Sequence, residues 1–163
     1  MFCFYRFGFS IETILMFVIA MILLAITMID FDTMIIPDGL NIAMLLVSIV
    51  LMYVRHMSLL ESIIGMFCIS VPMILLNVLI AESFGGGDIK LMFVSGIALG
   101  WKYSLLAAFI GILLVGSYSI YLLVSKKINK KGHIAFGPYL SIGIFIALSY
   151  GSEIISWYLN LMM

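Results

Sequence analysis

The chain has 163 residues, of which 65% are hydrophobic and 10% are charged, and its mean hydropathy is +1.30. These values exclude an ordinary soluble domain, in which about 25% of residues are charged. The 8 basic and 8 acidic side chains balance, so the sequence lacks the general basic face that binding to nucleic acid requires.

Apolar runs recur along the whole chain and predict a single all-α membrane domain, a polytopic protein with about six transmembrane helices. The predicted spans are, in chain order, 11–29, 40–54, 60–81, 88–100, 103–125 and 136–159. The second and fourth are shorter than the roughly 20 residues that a full crossing needs. The alternating pattern typical of an outer-membrane barrel is missing.

The cysteine and histidine positions predict no metal centre. Cys3 and Cys68 are far apart and form no Cys-x-x-Cys pair, which disfavours a structural zinc site and a disulfide framework. His56 and His133 lie in separate predicted loops, neither with a partner at metal-ligand spacing. We therefore expect neither a metal nor a cofactor.

The basic residues predict the orientation in the membrane. Four lysines separate the fifth span from the sixth, namely Lys126, Lys127, Lys130 and Lys131. By the positive-inside rule this loop is cytoplasmic. Loops 30–39 and 82–87 then face the cytoplasm too, and both termini lie outside. Five of the eight acids gather at the cytoplasmic boundary: Asp30, Asp32, Asp38, Glu82 and Asp88.

A run of three glycines, Gly85-Gly86-Gly87, leads into Asp88 and Lys90 just where apolar sequence resumes. Charge in such a place is costly and usually functional. The Gly-x-Gly-Asp pattern favours an aspartate-based protease, provided that a second aspartate lies at the same depth. Glycines there allow close approach of an extended substrate backbone. The alternative is a tight turn in which Asp88 caps a helix.

Asp30, at the end of the first span, is the candidate partner of Asp88. Peptide hydrolysis by two carboxylates needs one ionised, to take a proton from water, and one protonated, to polarise the scissile carbonyl. Asp88 opens a helix and Asp30 closes one, so the helix dipoles favour Asp88 as the base and Asp30 as the acid. The pair would titrate as a unit.

Four further charged residues are candidates for supporting roles. Asp38 follows Pro37 and reads as a turn residue or as the N-cap of the second span, whereas Asp32 is expected to be solvated. Lys90 either extends to lipid phosphates, pairs with Glu82 or tunes the aspartates.

Three blocks of the sequence resemble the signature blocks of the type IV prepilin peptidases, bacterial leader peptidases related to the archaeal preflagellin peptidases. The blocks are Met28-Ile29-Asp30-Phe31-Asp32-Thr33-Met34-Ile35-Ile36-Pro37-Asp38, Gly85-Gly86-Gly87-Asp88-Ile89-Lys90-Leu91 and Ala135-Phe136-Gly137-Pro138-Tyr139-Leu140. Their order and spacing both match, and they extend over essentially the whole chain.

The resemblance implies a GxGD-type aspartic membrane protease whose catalytic residues are Asp30 and Asp88, with Asp38 the runner-up for the first role. Such enzymes remove a short basic leader from type IV pilin-like precursors at the cytoplasmic face of the cell membrane. The implied partners are a prepilin or pseudopilin precursor and membrane lipid. Fuller bacterial enzymes carry two Cys-x-x-Cys pairs linked to N-methylation, so the resemblance supports the peptidase activity alone.

Two other classes of function fit a membrane protein with these acids. A small proton- or cation-coupled transporter would use intramembrane aspartates, although those are expected near the middle of spans. An inactive assembly factor of pilus or secretion machines would keep the fold without the chemistry. Processing of a co-expressed pilin precursor separates the three.

Overall fold

The computed structural model describes residues 10–80, 84–125 and 135–162, and within them all regular secondary structure is α-helical. The elements are α1 (Ile11–Thr33), α2 (Asp38–Val54), α3 (Leu59–Leu79), α4 (Gly86–Val124) and α5 (Gly137–Met162). The prediction of an all-α protein is confirmed for this part of the chain.

Four of the described helices, α1, α3, α4 and α5, are long and apolar enough to cross a membrane, and α2 is a shorter apolar helix of 17 residues. Many of their large apolar side chains are exposed, as suits surfaces that face lipid. The chain is therefore a multi-pass membrane protein by helix length and composition.

A break at Gly100 divides the 39-residue helix α4. Gly100 has φ +66° and ψ 176°, a conformation that favours glycine because a side chain would be strained there. An unbroken helix of that length would extend about 58 Å, roughly twice the hydrocarbon thickness. The break lies at the junction predicted between the fourth and fifth spans, and the division into six spans stays a prediction.

The first helix ends in a way that turns the chain back towards the bundle. Met34 adopts the left-handed conformation with φ 55°, and its N–H donates to the Asp30 carbonyl at 2.9 Å. A left-handed residue just past the last turn is a common helix stop. Two residues later Ile36 is buried, and Pro37 then caps the start of α2.

Helix α4 lies at the centre of the bundle and packs against α2, α3 and α5. Its backbone comes close to that of α3 where Gly65 faces Gly96. A Cβ atom built on Gly96 would touch the Gly65 backbone and lie 2.8 Å from the Met66 nitrogen. Small residues let membrane helices come this close, so the two glycines fix the distance between α3 and α4.

We expect the Gly96→Ala variant to unfold more readily, because its methyl group would push α3 and α4 apart. Overpacking of this kind costs about 1–3 kcal/mol. Gly116→Ala is the matched control, since a Cβ there meets nothing within 4 Å. Denaturation in mixed detergent micelles measures the free energy of unfolding of both variants. Equal stability would show that the glycine contact does not set the packing.

Candidate active site

Asp30 lies in the last turn of α1 with only 4% of its surface exposed. Its Oδ2 atom accepts a hydrogen bond from the backbone N–H of Gly137, 3.0 Å away. Gly137 is the first residue of α5, so this N–H belongs to the set that a helix N-terminus leaves without an internal partner. The positive end of α5 thus points at the Asp30 carboxylate, a favourable arrangement for a buried anion. This contact opposes the dipole argument that predicted Asp30 as the acid, which considered the end of α1 alone.

Gly137 tolerates no side chain at this point. A Cβ atom there would lie 2.8 Å from Asp30 Oδ2 and 3.2 Å from Ile36 Cδ1. The third sequence block was identified by resemblance alone, with no role for an individual residue. A glycine followed by proline at a helix start was the available signal, because proline is favoured in the first turn.

Asp88 is the third residue of α4 and is 7% exposed. Gly85 is the N-cap, and its backbone N–H hydrogen-bonds the Asp88 carboxylate, the pairing of a capping box. The capping alternative is therefore correct in part, although the cap residue itself is Gly85. The Oδ1 atom of Asp88 is buried with no hydrogen-bond partner among the described residues.

The two carboxylates lie close enough to interact electrostatically. Ile36, which is 5% exposed, fills the space between the glycines on either side. A Cβ built on Gly87 would approach its Cβ to 2.8 Å, and one on Gly137 its Cδ1 to 3.2 Å. Segments from all three sequence blocks thus meet around Asp30 and Asp88.

Ring packing adds a second contact between the second and third blocks. Phe84, directly before the glycines, lies 5.5 Å from Phe136 between ring centroids, with an interplanar angle of 48°. The segment that leads into Asp88 therefore packs against the segment that leads into Gly137. Sequence reasoning gave neither phenylalanine a role.

Three of the four supporting candidates, Lys90, Asp38 and Asp32, fall within the described residues. Lys90 Nζ pairs with Asp38 Oδ1 at 2.6 Å, and the two side chains are 57% and 68% exposed. Pairing with Glu82 is one of the three alternatives predicted for Lys90, and Glu82 falls outside the described residues. Asp38 is the first residue of α2 and not its cap, and Asp32 is exposed. The ion pair links α2 to α4 beside the buried aspartates.

The other end of the bundle holds a different polar cluster. Arg55 donates to Glu12 at 2.8 Å and to the carbonyl oxygen of Leu148 at 3.3 Å. These residues border a cavity of about 480 Å³. Glu12 and Asp30 lie at opposite ends of α1, about 27 Å apart by helix rise. The two acids therefore lie at opposite ends of the bundle, and the orientation in the membrane stays a prediction.

No group of three or more His, Cys, Asp or Glu side chains is placed to hold a metal ion within ranges 10–80, 84–125 and 135–162. The lysines of the predicted cytoplasmic cluster, residues 126–131, lie outside those ranges, as do Cys3 and His133. The buried ionisable groups that the structure does describe include the two carboxylates of Asp30 and Asp88.

Comparison with known proteins identifies the family. The model of the type IV leader peptidase family matches residues 17–120, which is more than half of the chain and includes both aspartates. The chain belongs to this family. No solved structure matches it.

Several curated relatives share the name prepilin leader peptidase/N-methyltransferase. The protein of Legionella pneumophila is 31% identical over 167 residues, covering 96% of this chain and 56% of that protein. The Bacillus subtilis (strain 168) protein is 31% identical over 160 residues, covering 96% of this chain and 63% of that protein. The Aeromonas salmonicida (strain A449) protein is 30% identical over 147 residues, with 85% and 50% covered. The chain spans about half the length of the relatives it matches.

The Lys90–Asp38 ion pair should contribute little to stability. Exposed pairs are worth about 0–1 kcal/mol because water already solvates both charges. A double-mutant cycle with Lys90→Met and Asp38→Asn, measured by unfolding in mixed micelles, gives the coupling energy. A coupling energy above about 2 kcal/mol would mean that the pair is much less hydrated than its exposure indicates.

Proposed function

We propose that the chain is a membrane aspartic endopeptidase whose catalytic residues are Asp30 and Asp88. The observation that carries this proposal is the pairing of two buried carboxylates, each of which comes from a helix end and is held through a backbone N–H of a glycine. Family membership supports the same chemistry. The proposal concerns hydrolysis of a peptide bond, the reaction to which such a pair is suited.

In the proposed reaction the two carboxyl groups share one proton before the substrate binds. The ionised carboxylate takes a proton from a water molecule as the water oxygen attacks the scissile carbonyl carbon. The protonated carboxyl hydrogen-bonds the carbonyl oxygen and stabilises the charge that develops there. Proton transfer to the amide nitrogen then lets the carbon–nitrogen bond break, and the shared proton is restored.

The proposed substrate is a precursor with a short basic leader ahead of an apolar segment, as in type IV prepilins and pseudopilins. The relatives' name supports this class of substrate. Asp32 is exposed two residues after Asp30, so it adds negative potential where a basic leader would approach. The apolar segment of the precursor would lie in the lipid beside the enzyme.

The proposed location is the cell membrane, with the aspartates facing the cytoplasm. The lysines between the fifth and sixth predicted spans support this orientation. The position of both aspartates near helix ends favours cleavage at the membrane boundary. It disfavours a transporter, whose acids are expected midway along the spans.

Replacing either aspartate should abolish processing of a co-expressed pilin precursor. We expect Asp30→Ala and Asp88→Ala each to lower the cleavage rate by about 10²–10⁴-fold or more, since each removes a group that moves a proton. Glu61→Gln, an exposed acid at the start of α3, is the matched control. Immunoblotting of precursor and product measures the rate.

Normal processing by both aspartate variants would refute these two assignments. Failure of the wild-type chain to process any pilin-like precursor would instead favour the inactive assembly factor. The membrane fraction of each variant must contain equal amounts of the protein for the comparison to hold.

Gly137→Ala should slow cleavage without removing either carboxyl group. The added methyl group would have to lie 2.8 Å from Asp30 Oδ2, so the carboxylate or α5 must shift. A displacement of about 1 Å in such a site costs on the order of 10²-fold in rate. Gly39→Ala, where a Cβ meets nothing within 4 Å, is the control. Full activity of Gly137→Ala would mean that the Asp30 position is not critical.

A further inference from the structure

Asn77 makes two hydrogen bonds to the backbone of one residue. Its Nδ2 donates to the Phe84 carbonyl oxygen at 2.8 Å, and its Oδ1 accepts from the Phe84 N–H at 2.7 Å. Asn77 lies in the last turn of the apolar helix α3, where an amide side chain is costly unless it is paired. Both polar groups of the amide are matched by the two backbone groups of Phe84.

Phe84 contacts both of the segments that hold the aspartates in place. On one side it is followed by Gly85, the N-cap of α4 whose N–H bonds the Asp88 carboxylate. On the other side its ring packs against Phe136, the residue before Gly137. Gly137 in turn donates to Asp30. A fixed Phe84 backbone therefore constrains both carboxylates.

The glycine run makes such a constraint necessary. Gly85, Gly86 and Gly87 have more backbone freedom than any other three residues would, and a free run would let the start of α4 shift relative to α1. The two bonds from Asn77 anchor the chain immediately before this freedom begins. Because α3 packs closely on α4 through Gly65 and Gly96, the anchor is itself part of the rigid bundle.

We propose that Asn77 is a positioning residue, which holds Asp88 and Asp30 in reacting geometry through the backbone of Phe84. The inference rests on the proposed peptidase function, and it assigns Asn77 no contact with the substrate. Loss of the anchor moves the carboxyl groups relative to each other, and a shift of about 1 Å is enough to lower the rate on the order of 10²-fold.

Two variants of similar size separate the two bonds. Asn77→Leu removes both, whereas Asn77→Asp keeps an oxygen to accept the Phe84 N–H and loses the donor to the Phe84 carbonyl. Asn160→Leu, an exposed position near the far end of α5, is the matched control. The kcat and KM for cleavage of a purified pilin precursor in detergent are measured for each variant, per folded enzyme.

We expect Asn77→Leu to lower kcat on the order of 10²-fold, with KM within about twofold of the wild-type value. Asn77→Asp should fall between Asn77→Leu and the wild type, and Asn160→Leu should match the wild type. An unchanged kcat in Asn77→Leu would overturn the proposal. A rise in KM with kcat intact would also overturn it, because it would indicate a contact with the substrate.

Backbone hydrogen exchange gives a readout that does not depend on cleavage. In Asn77→Leu the amides of residues 84–93 should exchange faster, while those of α1 within residues 16–26 stay protected. Unchanged exchange at 84–93 would overturn the anchor even if activity falls. If the wild-type chain cleaves no precursor, the proposed function fails by itself, and exchange still decides whether Asn77 holds the segment.

The coupling between Asn77 and Phe136 tests the route to Asp30. Both residues act through Phe84. The fold-reduction in kcat of the double variant should therefore be smaller than the product of the fold-reductions caused by Asn77→Leu and Phe136→Leu alone. Fully multiplicative effects would contradict a shared route. The same cycle with Gly116→Ala in place of Phe136→Leu should be multiplicative, because Gly116 lies away from these contacts.

Discussion

A buried carboxylate at the end of α1 accepts a hydrogen bond from the first residue of α5, and the geometry of the site depends on this contact. The Asp30 Oδ2 and Gly137 nitrogen atoms are 3.0 Å apart, although 107 residues separate them in the chain. A buried charge must be hydrogen-bonded, and a helix N-terminus supplies N–H groups that need an acceptor. The Asp30 side chain lies directly against the backbone of Gly137, so a Cβ atom on Gly137 would collide with it. Ile36 fills the remaining space. The same requirement applies to Gly87 on the other side of Ile36.

Polar contacts join helices at both ends of the bundle. At one end the buried Asp30 carboxylate connects α1 to the start of α5, and the exposed Lys90–Asp38 pair lies between α2 and α4. At the other, Arg55 connects α2 to Glu12 of α1 and to the Leu148 carbonyl of α5. Lipid supplies no hydrophobic force between helices, so the arrangement depends on close glycine contacts and on the hydrogen bonds of Asp30 and Arg55. The proposed reaction needs water and a charged leader, and both are more accessible at a helix end than in the middle of the membrane.

The sequence predicts the all-α membrane fold and both candidate carboxylates because each depends on local signals. Apolar runs set the helices, and charge at the edge of an apolar run is rare enough to mark Asp30 and Asp88. The break at Gly100 also falls where Gly100-Trp101-Lys102 interrupts the apolar pattern. Other contacts could not be predicted in this way. The hydrogen bonds between Asn77 and Phe84 and the Lys90–Asp38 pair depend on which helices become neighbours. The periodicity of the sequence does not predict those neighbours.

The two oxygens of Asp88 differ in their hydrogen bonding. Asp88 bonds the Gly85 N–H, which anchors the side chain, and its Oδ1 has no partner among the described residues. Asp30 is likewise anchored through Oδ2 by a glycine N–H at a helix start. Backbone donors therefore set the position of each carboxyl group, and in the proposed reaction the second oxygen of Asp88 is the one that would face water or the peptide carbonyl beside Asp30.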